Sequence, residues 1–438
     1  MVAKKYHAKL FKNLSKLLTN KEFINGYITK DKYFTRNRKL SFRTVTLLIL
    51  RLLKSSIKTE LKTFYQSVFK TDEIVNWVSD AAFCKARQKI PYRLFIDLYK
   101  TIIHYYYSNI GGKRWFHYRL LAVDGSALNL PSSKELLERF GHHHSNSIGT
   151  KVPQARVSFL VDVLNNFTLD AQIESFKVGE QEMFLSHLAC MDKTDLLTAD
   201  ANYGHFWILK SLLLEEISFC IRINQSTNLI KEFLASGKDD NVVLWEPSKR
   251  TIENTKKHNL DTKPIKVRLV RIELSCGKTE VLVLSLLDKG IYSLDSIKEL
   301  YDMRWGVEEE IKKYMQRLMV EFFSSIKVNG VLQDFYANIF MLNIVTFLSD
   351  SVKDGIYQSS EDNKFRRQIN WTSALGDVRR SFVLLFLRAE DKVRVILYSL
   401  WESFIKNTEA IRPDRKFPRD NRKKGSRQKA FMQYKPAW

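Results

Sequence analysis

Three carboxylates stand out by position. Asp124 closes an apolar run in YRLLAVDGSALNL, Asp200 closes a second in DLLTADANYG, and Glu308 sits in a helical stretch, LYDMRWGVEEEIKKYM. An acid at the end of a buried strand faces the open edge of a sheet. Two such strands as neighbours, with a helix packed on that edge, would bring three like charges to one point. Such a cluster repels itself unless a cation is shared. Mg2+ takes oxygen ligands and keeps one or two carboxylates, water and substrate phosphate. Two such ions suit an in-line phosphoryl displacement, one activating the attacking hydroxyl and the other stabilising the leaving oxygen. The expectation is a pair of Mg2+ ions, with Mn2+ as a substitute, held by Asp124, Asp200 and Glu308.

The helix around Glu308 adds a cation and a phenol. Tyr301, Arg304 and Glu308 are three and four residues apart, which places them on one helical face, and the stripe continues through Lys312 and Met315. Arg304 can grip phosphate oxygens in a fork and Tyr301 can donate one hydrogen bond. Glu309 and Glu310 point off this face. Each residue also has an ordinary reading. Asp-Gly is a common turn pair, Asp200 could cap the next helix, Glu308 belongs to an acidic run, and Arg304 could stack on Trp305. Singly, those readings prevail. Jointly, two strand-end aspartates and a Tyr-x-x-Arg-x-x-x-Glu stripe are much harder to explain that way.

The elements that must position these groups follow from changes of period. Residues 1–115 carry Leu, Ile and Phe at helical spacing, as in KLFKNLSKLL and RTVTLLILRLLKSS. Within them, VSDAAFCKARQKIP reads as a helix capped by Ser79 or Asp80 and closed by Pro91. Phe83, Ala86 and Ile90 share its inner face, leaving Lys85, Gln88 and Lys89 outside. A preceding helix over residues 60–69 could support it as in a helix-turn-helix that touches DNA. Residues 116–224 then read as strand, hairpin turning at Asn165-Asn166, helix, strand, helix, strand. That order predicts an α/β (mixed α+β) fold with a mixed five-stranded sheet flanked by helices. Residues 225–292 form a β-rich insertion, in which Lys266 and Arg268 alternate onto one strand face. Helical spacing returns over 293–408. There, residues 330–348 are apolar on most sides and are expected to pack on the sheet. Residues 409–438 are a basic tail: from Arg412 onward there are ten basic and two acidic residues.

Charge names the partner class. The 438 residues hold 71 Lys and Arg against 48 Asp and Glu, a net charge of +23. The first 60 residues alone carry 15 basic and 3 acidic side chains. This predicts a polyanion. No apolar run is long enough to span a bilayer, so nucleic acid is expected rather than lipid, with no membrane partner. The four cysteines (Cys84, Cys190, Cys220, Cys276) lie far apart, without a CxxC pair, which fits a reducing compartment. The tract His142, His143, His144 reads as a solvated loop rather than a soft-metal site. Trp207, Trp245 and Trp305 read as packing residues.

In order and spacing, VDGS, TADANYG and YDMRWGVEEEIKKYM resemble the three catalytic segments of DDE-class insertion-sequence transposases. They are most similar to the subgroup with a YREK signature and a β-rich insertion before the Glu. SDAAFCKARQKI and QARVSFLVDVLNNFTLDAQI also resemble segments of that group, so the likeness spans roughly residues 75–350. It implies an RNase H-like core, catalytic roles for Asp124, Asp200 and Glu308, and signature roles for Tyr301 and Arg304. The signature Lys should fall at position 315, which is Met315; Lys312 or Lys313 is then the substitute phosphate contact. The implied activity is Mg2+-dependent cleavage at element ends followed by 3′-hydroxyl strand transfer. The implied partners are double-stranded terminal repeats and target DNA, with a dimer on DNA, in a bacterial cytoplasm at the nucleoid. The alternative is a catalytically decayed or domesticated relative that binds DNA as a regulator, for which Met315 is the supporting feature. A structure-selective nuclease on the same core is a third reading.

Overall fold

The computed structural model describes residues 2–36, 38–69, 78–142, 151–273 and 279–411. Their contacts group into two compact units that do not follow linear order. One takes in Gly112–Ala127 and Arg156–Ile311, and the other holds the remaining described residues.

The first unit is organised by a sheet. Its strands are β1 (Arg119–Asn129), β2 (Gln154–Asp162), β3 (Phe167–Ser175), β4 (Asp195–Ala199), β5 (Ser218–Ile223), β6 (Asp240–Trp245), β7 (Ile265–Glu273) and β8 (Thr279–Leu284). They lie in the order β3-β2-β1-β4-β5-β8-β7-β6. β1, β4 and β5 are parallel, and β5, β8, β7 and β6 pair antiparallel in turn. The parallel strands are mostly apolar because both faces are covered: residues 120–123 and all of β4 are buried, with the polar Asp195 paired to Arg119 and Thr198 donating to the Leu121 carbonyl. The helices Glu180–Leu188 and Phe206–Leu214 connect β3 to β4 and β4 to β5. The β2–β3 turn closes on Asp162, whose Oδ1 accepts from the backbone N–H groups of Leu164 (3.1 Å) and Asn165 (3.0 Å). Asn166 takes φ +57°, a left-handed conformation asparagine tolerates.

The expected mixed sheet is present, but it has eight strands rather than five. Residues 225–292 extend it: β8 pairs with β5 from Cys220↔Leu284 to Ile223↔Val281. Left as an edge, β5 would present unpaired backbone groups, and the insertion covers them. Lys266 and Arg268 do not share an environment. Lys266 is exposed, whereas Arg268 is buried with both Asp240 oxygens (2.9 and 2.8 Å) and the Tyr292 carbonyl (2.8 Å) on its guanidinium.

The second unit is helical. Its axis is Val328–Gln358, buried continuously from Gly330 to Ser349. The helices packed on it include Phe42–Leu50, Arg93–Asn109, Trp371–Leu387 and Glu390–Lys406. The segment expected to pack on the sheet is buried among these helices, which an all-round apolar helix satisfies. Among the described residues it alone is long and apolar enough to cross a membrane, and that stretch is fully buried in the protein.

The helix Asp80–Arg87 forms as its sequence indicates. The Ser79 side chain caps it by accepting from Ala82 N–H, and Phe83, Ala86 and Ile90 are buried. Arg87 fastens it down. Its buried guanidinium donates to Gln333 Oε1 (2.9 Å), Ser324 Oγ (2.7 Å), the Gly330 carbonyl (3.1 Å) and Asp334 Oδ1 (2.9 Å). Removing one member of such a buried pair costs about 3–5 kcal/mol because the other charge is stranded. Arg87→Ala is therefore expected to lower unfolding free energy by about 3 kcal/mol in urea titrations. A loss below about 1 kcal/mol would show that the network is not what anchors this helix.

Candidate active site

The register of the parallel strands sets the site. β1 and β4 pair from Arg119↔Asp195 to Ala122↔Thr198. Continued two residues past that last pair, the register would bring Asp124 opposite Asp200. Asp124 does not end its strand, since β1 runs on to Asn129; what ends at Ala122 is its pairing with β4. Asp200 follows the last residue of β4 directly.

The charges of Asp200 and Glu308 both act on the Asp124 carboxyl. The Asp124 carboxyl is raised to about 6: burial is the main cause, and the charges of Asp200 and Glu308 add to it. The Gly125 N–H, which donates to Asp124 Oδ1 at 2.8 Å, and the nearby Arg304 partly oppose the rise. Asp200 Oδ1 accepts from Asn202 N–H at 2.9 Å. Glu308 Oε1 lies 3.3 Å from Arg304 Nη1.

The Tyr301–Glu308 stripe is present but interrupted. One helix ends at Met303, Arg304 forms a turn, and the next helix runs Trp305–Lys312. Gly306 permits a close approach to the β2–β3 turn: a β-carbon there would lie 3.0 Å from Val163 Cβ. Tyr301 and Arg304, expected to face a phosphate, are both buried, at 3% and 6% exposure. Tyr301 belongs to the apolar cluster of Leu120, Leu196, Cys220 and Leu282, and burial pushes its phenol up to about 12. The Arg304 guanidinium lies 5.5 Å from the Tyr301 ring centre. In this geometry Arg304 pairs with Glu308, while Tyr301 packs beneath the guanidinium in the apolar cluster. Lys312 is exposed, and Met315 lies in a π-helical turn, Lys313–Arg317, where α-helical spacing does not hold.

Sequence reasoning missed the groups around the two aspartates. Glu180, first residue of its helix, accepts from Arg156 Nη1 (3.0 Å) through Oε1 and from Asn202 Nδ2 (3.0 Å) through Oε2. Gln181 Nε2 donates to the Asn202 carbonyl (2.8 Å) and lies 2.8 Å from His205 Nε2. Burial lowers the His205 imidazole, favouring the neutral ring that accepts this bond. Tyr203 is buried, and burial together with the charges of Glu180, Asp124 and Asp200 keeps its phenol protonated. The only available signal was adjacency: Asn202, Tyr203 and His205 follow Asp200 closely, whereas Glu180 and Arg156 carried none. Ser158, His187 and Asp170 form a hydrogen-bonded trio (2.9 and 2.8 Å), but all are buried, so it is a core network and not a nucleophilic site.

The donor set suits hard divalent cations: all ligating atoms are oxygens, and a carboxyl driven towards protonation by burial and like charge is relieved by a shared cation. Among the described residues no group of three or more His, Cys, Asp or Glu side chains is arranged so as to hold a metal ion. The carboxylates instead satisfy themselves with Gly125, Asn202 and Arg304.

A second candidate surface lies in the helical unit. A groove of about 790 Å³ opens between the Asp80–Arg87 helix and residues 32–40; among the described residues it is lined by Lys32, Arg36, Arg38, Lys39, Lys85 and Lys89 and by no acidic side chain. Lys85 and Gln88 are exposed, and Lys89 Nζ sits 5.1 Å over the Tyr33 ring. The helix Ile57–Phe69 packs against Asp80–Arg87, but residues 70–77, which join them, lie outside the described residues. So do His143 and His144, Cys276 and the tail from residue 412.

Residues 115–344 match the family model described as the transposase DDE domain. That is more than half of the chain, and the protein belongs to this family. A solved structure, the piggyBac transposase synaptic complex with hairpin DNA, is similar over 90% of this chain and 81% of its own, at 13% identity and a TM-score of 0.45. No curated protein matches the sequence.

Proposed function

We propose that this protein is an insertion-sequence transposase. It cleaves DNA at the ends of its element and joins the freed 3′ ends to target DNA. Asp124, Asp200 and Glu308 are its catalytic carboxylates and would hold two Mg2+ ions, for which Mn2+ can substitute. Bound there, the ions supply a water of lowered pKa and neutralise charge on the reacting phosphate. What supports this reading is the parallel pairing of β1 with β4, the strands that lead to Asp124 and Asp200, together with the charges of Asp200 and Glu308 acting on the Asp124 carboxyl.

Water attacks the terminal phosphodiester, the P–O3′ bond breaks, and a 3′-hydroxyl is released. That hydroxyl then attacks a second phosphodiester, on the opposite strand or in the target. A new O–P bond forms as the old P–O3′ bond breaks, so no energy source is required. Buried Arg304 and Tyr301 fix the helix that carries Glu308, and Lys312 offers an exposed cation to the backbone phosphate. The basic groove, with Lys85, Gln88 and Lys89 on its helix, grips terminal-repeat DNA, and two copies pair on DNA to join two ends. The setting is a bacterial nucleoid.

Incubating labelled end-repeat DNA with the protein, with and without Mg2+, tests the reaction. The proposal requires nicking with a free 3′-hydroxyl only when the metal is present. Met315 at the signature position favours a second reading, a non-enzymatic DNA-binding regulator, and that protein binds the same DNA without cutting it. The groove makes its own prediction. Each phosphate contact removed reduces the slope of log affinity against log salt by about one. Combined Arg36→Ala, Arg38→Ala and Lys85→Ala is expected to flatten the slope by about three in anisotropy titrations. An unchanged slope places DNA elsewhere.

A further inference from the structure

Glu180 has no part in the reading above, yet it sits where both aspartate segments can be reached. Its Oε1 is taken by Arg156, whose guanidinium also lies 4.8 Å from the Phe176 ring, and its Oε2 is taken by Asn202. With both oxygens engaged, Glu180 is not disposed as a further metal ligand. Asn202 is the residue whose backbone N–H orients Asp200. On the other side, the Glu180 side chain lies directly on Gly125: a β-carbon at Gly125 would be 2.6 Å from Glu180 Cδ. Gly125 in turn orients Asp124 through its N–H. One carboxylate thus touches both segments that carry the aspartates.

We infer that Glu180 is a positioning residue. Braced by Arg156, it clamps the Asp124-Gly125 segment of β1 to the Asp200–Asn202 segment after β4, and so sets the separation of the two carboxylates that a divalent cation would meet. The inference rests on the reading of Asp124 and Asp200 as metal-holding groups. It also explains why position 125 must be glycine: any side chain there displaces Glu180 and opens the clamp.

The test is Mn2+ binding to the full-length protein alone, by isothermal titration, alongside the Mg2+ concentration required for cutting end DNA. Groups that orient metal ligands are typically worth about 10–100-fold in affinity. Glu180→Ala is expected to weaken Mn2+ binding about tenfold and to raise the Mg2+ requirement equally, with DNA affinity and Tm close to wild type. Glu180→Gln, which keeps one acceptor oxygen, is expected to fall between. Gly125→Ala is expected to match Glu180→Ala, and the double variant to be no worse than Glu180→Ala, because both changes break the same contact. Wild-type Mn2+ affinity in Glu180→Ala, or full additivity of the two single changes, would overturn the clamp. If Glu180→Ala unfolds, Glu180→Gln and Gly125→Ala decide by the same criteria. Should Asp124→Asn bind Mn2+ and cut normally, the reading of the site fails and the clamp with it. Should Asp124→Asn be inactive while Glu180→Ala behaves as wild type, the clamp alone fails.

Discussion

Asp124→Asn is expected to abolish Mg2+-dependent cleavage and, at the same time, to make the metal-free protein more stable at pH 8. The loss of cleavage should exceed about 10³-fold, beyond the 10–100-fold typical of a group that only supports a ligand. The gain in stability follows from burial. The Asp124 carboxyl is raised from 3.8 to about 6, so the folded state favours the protonated acid. Below pH 3.8 the group is protonated in both states and its contribution is fully present. As pH rises towards 6 that contribution drains away, and above 6 the protein carries a half-buried charge that the unfolded chain solvates freely. Two pKa units correspond to about 3 kcal/mol, which solvent screening of a half-buried group reduces to about 1–2 kcal/mol. Asparagine removes that cost. Thermal melts should therefore show a Tm higher by a few degrees for Asp124→Asn at pH 8, and no difference near pH 3.5. Added Mg2+ should raise the wild-type Tm, because it binds only the folded state, and should leave the variant unmoved. A variant that melts below wild type at pH 8 would show that Asp124 is not held against its charge.

Glu308→Ala is expected to be just as inactive while moving stability the other way. Glu308 is the ion-pair partner of a buried guanidinium, Arg304. Its removal strands part of that charge, and buried cations are costly to leave uncompensated. Cleavage should fall by more than about 10³-fold with DNA affinity intact, and Tm should drop by a few degrees at pH 8. Glu308→Gln should recover part of the stability, since its amide oxygen still accepts from Arg304, and none of the cleavage. Two variants dead for one reason and opposite in Tm would be hard to reconcile with a general loss of structure. Normal cutting by Glu308→Ala would remove this residue from the catalytic set.

How much of this was legible beforehand depended on the range of the interaction. The central strands of the expected sheet were readable because a buried parallel strand is dominated by apolar residues, as in LLAV and in the LL of DLLTA, and the hairpin strands because a turn pair, Asn165-Asn166, separates them. Asp124 and Asp200 were readable because each interrupts such a run where pairing stops. The inner face of Asp80–Arg87 was readable from a period of 3.6. By contrast, the edge on which the insertion strands would dock had no local signature. The Arg304 turn and the π-helical turn at Lys313–Arg317 were invisible to a spacing rule that assumes one unbroken helix. Glu180 resembled any acid at a helix start, and its meaning came from Arg156, Gly125 and Asn202, between 22 and 55 positions away.

The amino-acid order alone thus determined which segments are strands and helices, and which acids fall at the open end of a parallel sheet. These are properties of neighbouring residues and their periods. Only the tertiary structure decided that the insertion lengthens that sheet, that Tyr301 is buried while Arg304 pairs with Glu308, and that a fourth carboxylate joins the two aspartate segments. Each of these is a long-range contact, governed by packing and by the pairing of buried polar groups.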